Sequence, residues 1–189
     1  MFLCISVVLA VLVGLLKGGK WGNFTLYKFK GSWLVFVAIL LQVSIFNPWW
    51  EKYVNDGMIT NLTYCLSIIL LIIFILRNFN LTGLRLLGAG IASNGIAIIA
   101  NGGYMPTSIN SLKHILSVER IARIESGSAS YNIILITDNT KFKFLCDIFY
   151  VPGINVYSVG DILIALGAFV VIQQIMLRNK ELIICNERG

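Results

Sequence analysis

Residues 86–106 read LLGAGIASNGIAIIANGGYMP, and the fold of the whole chain turns on how that stretch is taken. It is apolar over a length that can cross a bilayer, for which a helix needs about 20 residues. One side is nearly bare, because Gly88, Ala89, Gly90, Ala92, Ser93, Gly95 and Ala97 carry little or no side chain. Small residues four apart, Gly88 with Ala92 and Ala89 with Ser93 and Ala97, let neighbouring helices close to backbone contact. Gly88 and Ala92 are therefore expected to be helix-packing positions. Asn94 and Asn101 lie two helical turns apart, so their amides project from one face. Hydrocarbon offers an amide no partner. Either the two tie helices together, or they line a polar cavity open to one side of the membrane.

The composition points the same way. Hydrophobic residues make up 57% of the 189, charged residues only 13%, and mean hydropathy is +0.82. Apolar runs this long and uncharged do not belong to a soluble core, and the chain is too short to add a soluble domain of ordinary size. Residues 1–189 read as one integral membrane domain. The net charge of +6 does not mean nucleic acid, since the basic residues sit beside apolar runs, where they orient a membrane protein. Cys4, Cys65, Cys146 and Cys185 form no C-x-x-C pair, and His114 is the single histidine. No structural zinc site, no other metal site and no cofactor is expected.

Working outward from the central stretch gives five spans, at residues 2–16, 33–46, 59–76, 84–100 and 159–177. The first lacks the basic start and the small-residue cleavage site of a signal peptide. Lys17, Lys20, Lys28 and Lys30 crowd into the connection after it, with Trp21, Phe24, Tyr27 and Trp33 interleaved as at a headgroup boundary. Counting short connections only, Arg77, Arg85, Arg178, Lys180 and Arg188 fall on the same side, and Lys52 stands alone on the other. The excess of positive charge puts the amino terminus outside and the carboxyl terminus in the cytoplasm of a cell-membrane protein.

The connection at 101–157 is then extracytoplasmic. Ile109, Leu112, Ile115, Leu116, Ile121 and Ile124 recur at helical spacing, with Lys113, Glu119, Arg120 and Arg123 between them. This predicts an amphipathic helix starting at Pro106 or Thr107, lying in the interface and breaking near Ser117. Gly127 and Ser128 end it. Residues 133–149 allow a hairpin turned at Asp138-Asn139 or a short helix capped by Thr137, and the helix is preferred. Gly102 and Gly103 are expected to end the fourth helix with a left-handed residue.

NGGYMP closing a span, LCDIFYVPG closing the loop and VYSVGDILIALG opening the last span together resemble a family of uncharacterised small multi-pass bacterial membrane proteins. The resemblance covers almost the whole chain. It implies a bacterial membrane location and a helical fold, and no activity. Members usually carry glycine before the loop aspartate, where this chain has Cys146.

Asp161 is the one acid within an apolar span, and an intramembrane acid is a functional candidate. Ser158-x-x-Asp161 is also a capping box, in which hydroxyl and carboxylate satisfy orphan N–H groups at a helix start. Asp147 with Asp161 suggests paired carboxylates that activate water, and the last span is similar to the closing motif of the lipoprotein signal peptidases. The N-x-x-D-R motif that would carry their other aspartate is absent, so no catalytic residue is assigned. His114 has no acid at helical spacing to orient it and reads as a solvent-facing side chain. Gln42, Thr63, Ser67, Asn94, Asn101 and Asp161 share the outer half of the spans and form a candidate polar pocket, with Asp147 and Ser158 as loop acid and cap. Such a set fits an outward-facing pocket better than a continuous channel, and it also fits hydrogen-bonded packing.

The expectation is an all-α polytopic bundle of five transmembrane helices, with an extracytoplasmic helical cap between the fourth and fifth. Its role is read as a non-enzymatic membrane subunit or sensor-like binding protein. Small-molecule or lipid binding or transport through the outward pocket comes second, and a membrane aspartyl hydrolase third. The lipid bilayer is the expected partner, with a membrane-protein partner or a second copy of the chain beside it and no nucleic acid.

Overall fold

The computed structural model describes residues 2–45, 57–125, 133–152 and 155–179. Its helices are α1 (Phe2–Leu16), α2 (Asn23–Leu26), α3 (Trp33–Ile45), α4 (Gly57–Arg77), α5 (Thr82–Ala100), α6 (Ile109–Leu112), α7 (Val118–Glu125) and α8 (Val159–Met176). The strands are β1 (Met105–Thr107), β2 (Ile133–Leu135), β3 (Phe149–Val151) and β4 (Asn155–Tyr157). Three helices, α4, α5 and α8, are long and apolar enough to cross a membrane. α1 and α3 are apolar but shorter, at 15 and 13 residues. Trp49-Trp50, Lys52 and the expected end of the second span lie outside the described residues.

Long helices pack as neighbours in the order α3–α4–α5–α8–α1, with the closest contact between α5 and α8. Glycine makes that contact possible. Gly83 and Gly90 on α5 face Gly160 and Gly167 on α8, and a methyl group on any of the four would strike backbone or side chain of the opposite helix. These glycines lie seven apart on each helix, two turns, so they fall on one line. The expected packing position Gly88 faces α4 instead, where a methyl would sit 3.1 Å from Ile75 Cδ1. Buried Ile68, Ile75, Leu84, Ile91, Ile98, Val171 and Ile175 fill the space between α4, α5 and α8. The opposite faces of the bundle expose Leu12, Phe36, Leu40, Leu62, Ile69 and Leu166.

Two buried asparagines close one end of the bundle. Asn23 donates from its amide to the carbonyls of Ile175, Met176 and Arg178, satisfying the open carboxyl end of α8. Asn78 accepts from the Lys30 N–H and donates to the Lys30 and Phe74 carbonyls. The basic turns after α1, before α3 and after α4 are thereby gathered beside Arg178.

At the other end the connection between α5 and α8 differs from the expected helical cap. α6 and α7 lie within the expected amphipathic helix, interrupted around Ser117, but Pro106 and Thr107 belong to β1. Residues 133–149 do not form a hairpin, and their helical part is a single 3-10 turn rather than the expected helix. β2 pairs parallel with β1, Met105 opposite Ile133 and Thr107 opposite Leu135. The Lys143–Leu145 turn is 3-10, and β3 pairs antiparallel with β4. A three-residue apolar run takes the structure its neighbour offers, and here β1 offers a free edge. The chain is therefore mostly helical, with two small sheets. Gly102 and Gly103 do end α5 in the left-handed region, at φ +78° and +93°. At Gly103 any side chain would also press on the Asn61 backbone, 3.1 Å away.

Candidate functional site

The first turn of α8 is a closed polar unit. Ser158 occupies the N-cap, and its Oγ accepts the Asp161 N–H at 3.0 Å. Asp161 Oδ2 accepts the Ser158 N–H in return at 3.1 Å, completing the capping box. Asn94 of α5 joins from the side. It donates through Nδ2 to Asp161 Oδ1 at 2.8 Å and accepts the Ser158 hydroxyl on Oδ1 at 2.7 Å. This is possible because residue 160 is glycine: a methyl there would collide with Asn94 Oδ1. Asp161 thus has one donor on each oxygen, and the amide in α5 ties the two helices rather than standing open.

Asp147 is held by different means. Its N–H donates to the Pro106 carbonyl and its C=O accepts the Ser108 N–H, both at 3.0 Å, so it bridges the second edge of β1 beside Thr107. Its side-chain Oδ1 is buried without a hydrogen-bond partner. Burial, with the negative charge of Asp161 adding to it, pushes the Asp147 carboxyl up from 3.8 to about 7; a hydrogen bond with Thr107 pulls the other way. Burial also raises the neighbouring Cys146 thiol, with Asp147 adding to it.

Asp147 and Asp161 line one cavity of about 400 Å³. Thr107, Asn155 and Tyr157 contribute further polar atoms. The remaining wall is apolar: Leu3 from α1, Ile164 from α8, and Leu112, Ile115, Ile133 and Val156 from the cap. No lysine, arginine or histidine lines it among the described residues.

The other candidate residues do not converge here. Gln42 of α3 donates to Ser67 of α4 at 3.0 Å, a tie between helices. Asn101 clamps the loop by donating to the Ala97 and Lys141 carbonyls and accepting the Lys141 N–H. Thr63 is half-buried on α4. His114 is exposed and stacks on Tyr150 with ring centroids 4.6 Å apart. From sequence Thr107 reads only as a possible helix start; its pairing with Asp147, forty residues on, is what brings it to the site. No group of three or more metal-ligating side chains occurs among the described residues.

The chain belongs to DUF5317, a family of unknown function, whose profile matches residues 26–173. It is similar to an uncharacterized protein of Thermotoga maritima, with 29% identity over 173 residues covering 88% of this chain and 84% of that one. No solved structure matches it. Neither comparison names an activity. The matched region contains α3, α4, α5 and nearly all of α8, and with them Asn94, Thr107, Asp147, Ser158 and Asp161.

Proposed function

We propose that the chain is a five-span protein of the bacterial cell membrane that binds a small amphipathic cation in the Asp147–Asp161 cavity, without turning it over. In this reading α1 and α3 also cross the bilayer. At about 1.5 Å per residue they fall short of a hydrocarbon layer of about 30 Å, but their outward faces carry Leu12, Phe36 and Leu40, which only lipid would solvate favourably. The basic turns at one end set that end in the cytoplasm, so the cavity faces outward.

The single observation that carries the binding reading is a pair of carboxylates in a cavity that is otherwise largely apolar and has no basic lining residue. Ionising the buried Asp147 carboxyl without a counter-ion is costly, and a bound cation offsets that cost. The volume suits a small organic molecule, and the apolar wall running from the cap to α1 and α8 suits a hydrocarbon tail. The test is calorimetry on protein in nanodiscs with three ligands of one chain length: a primary alkylamine, the matching alcohol and the matching carboxylate. The amine is expected to bind, and to bind at least about tenfold more weakly after Asp147→Asn, in line with the loss of one close charge pair. Equal binding of amine and alcohol, or none of either, would sink the proposal.

One observation favours a second, hydrolytic reading: a carboxyl that keeps its proton to about pH 7 beside another carboxylate is how paired acids activate water. Cleavage of membrane-segment peptides, abolished by Asp161→Asn in a folded protein, would put it first.

A further inference from the structure

The turn around Phe142 lies outside the cavity and outside every long helix, yet it exposes aromatic rings. Phe142 is 48% and Phe144 65% accessible, and the two rings meet edge to face with centroids 6.4 Å apart. Lys141 and Lys143 alternate with them, both exposed. Lys143 has Asp138 at 3.9 Å, a long pair between two exposed side chains, which leaves its ammonium open to a better partner.

The height of this turn is fixed. Asn101, the residue that follows α5, brackets Lys141 with two hydrogen bonds of 3.0 Å, one to the carbonyl and one from the N–H. The turn itself packs against α5 and α8. Where α5 spans the bilayer, its end lies at the headgroup layer, and the turn bolted to that end lies there too. Phe142 also holds a left-handed backbone, φ 52° and ψ 47°, which a bulky residue adopts only at a cost. Within the protein, a ring left half in solvent offsets little of that cost.

We infer that residues 141–144 are a membrane anchor: Phe142 and Phe144 seat in the interfacial layer of the leaflet where α5 ends, and Lys141 and Lys143 bind the phosphates of anionic phospholipids there. Aromatic rings and cationic side chains alternating at this depth match the layered chemistry of the interface, apolar below and anionic above. The anchor rests on the membrane reading given above. It would hold the strand-bearing cap against the bilayer, and with it the cavity wall that Asp147 contributes.

The test uses a nitroxide spin label on protein whose native cysteines are replaced, reconstituted in nanodiscs. A label at Lys143→Cys leaves both rings in place, and a second label at Leu166→Cys reports the lipid-facing side of α8. Collision with oxygen against collision with a nickel chelate reads depth. The label at 143 is expected at headgroup depth, with oxygen favoured over nickel. It should become nickel-accessible when Phe142→Asn and Phe144→Ser are added, asparagine being chosen because it tolerates the left-handed backbone. The label at 143 should also lie deeper in phosphatidylglycerol than in phosphatidylcholine. Free nickel access at 143 with both rings present, while Leu166 reports lipid, would overturn the anchor alone. Free nickel access at Leu166 would overturn the membrane reading beneath it. The same depth in both lipids would overturn the role given to Lys141, the lysine that the labelled protein keeps.

Discussion

Asp147 sits in an environment far from what its chemistry favours. Its carboxyl is pushed from 3.8 in a solvated chain to about 7 in the fold, mainly by burial. Between those values the folded protein holds a proton that the unfolded chain has released. The contribution of this carboxyl to stability therefore falls as pH rises from about 4 to about 7 and is level outside that window. Three units amount to about 4 kcal/mol at most. Asp147→Asn should flatten that slope, leaving the variant relatively more stable at pH 8 than at pH 4.5. Unfolding midpoints in detergent across that range would show it, and parallel curves for variant and wild type would mean that the burial is not felt. Asp161 stands in contrast, with a donor on each oxygen. Its capping role was legible because Ser-x-x-Asp is a local pattern. The place of Asp147 was not, because it depends on a bridge to Thr107 that no local spacing reveals.

Among the elements, α5 and α8 show how far one small-residue pattern can mislead about its partner. Small residues four apart pointed to Gly88 and Ala92, but the closest approach uses Gly83 and Gly90 against Gly160 and Gly167. Bareness is visible in a sequence; the direction a bare face points is not, since both faces of α5 are lined with small residues. The two sites should respond unequally to one methyl group. Gly167→Ala places carbon against the Leu87 backbone, which cannot yield without separating the helices, and should cost about 3 kcal/mol. Gly88→Ala meets no backbone, only the Ile75 side chain, with Cδ1 at 3.1 Å and Cγ2 at 3.2 Å. There a gain of up to about 1 kcal/mol in helix propensity offsets the crowding, so the midpoint should hardly move. Equal losses at both positions would refute the assignment of faces. The described boundaries of the long helices were largely readable, because 13 to 21 mostly apolar residues between polar turns leave little choice. The strands were not, because their partners lie across a long loop.

Taken whole, the molecule has a basic end and a strand-bearing end, and the proposed orientation stakes a claim on both. A cysteine placed at Asn139, exposed in the cap, should be labelled from outside intact cells by an impermeant reagent. One placed at Lys17, exposed after α1, should be labelled only after the membrane is opened. The reverse pattern would turn the cavity to the cytoplasm and remove the case for an extracellular ligand. The neighbour order α3–α4–α5–α8–α1 bears on something different, the timing of biosynthesis. α8 sits between α5 and α1, taking a hydrogen bond from Ser6 on its Ala165 carbonyl and giving one from Gln173 to Ala10. It leaves the ribosome after both of those helices. For the whole interval in which the loop at 101–157 is being translated, α1 and α5 lack the helix that packs against both of them. A chain cut short before residue 159 would leave the glycine line of α5 without the helix that covers it.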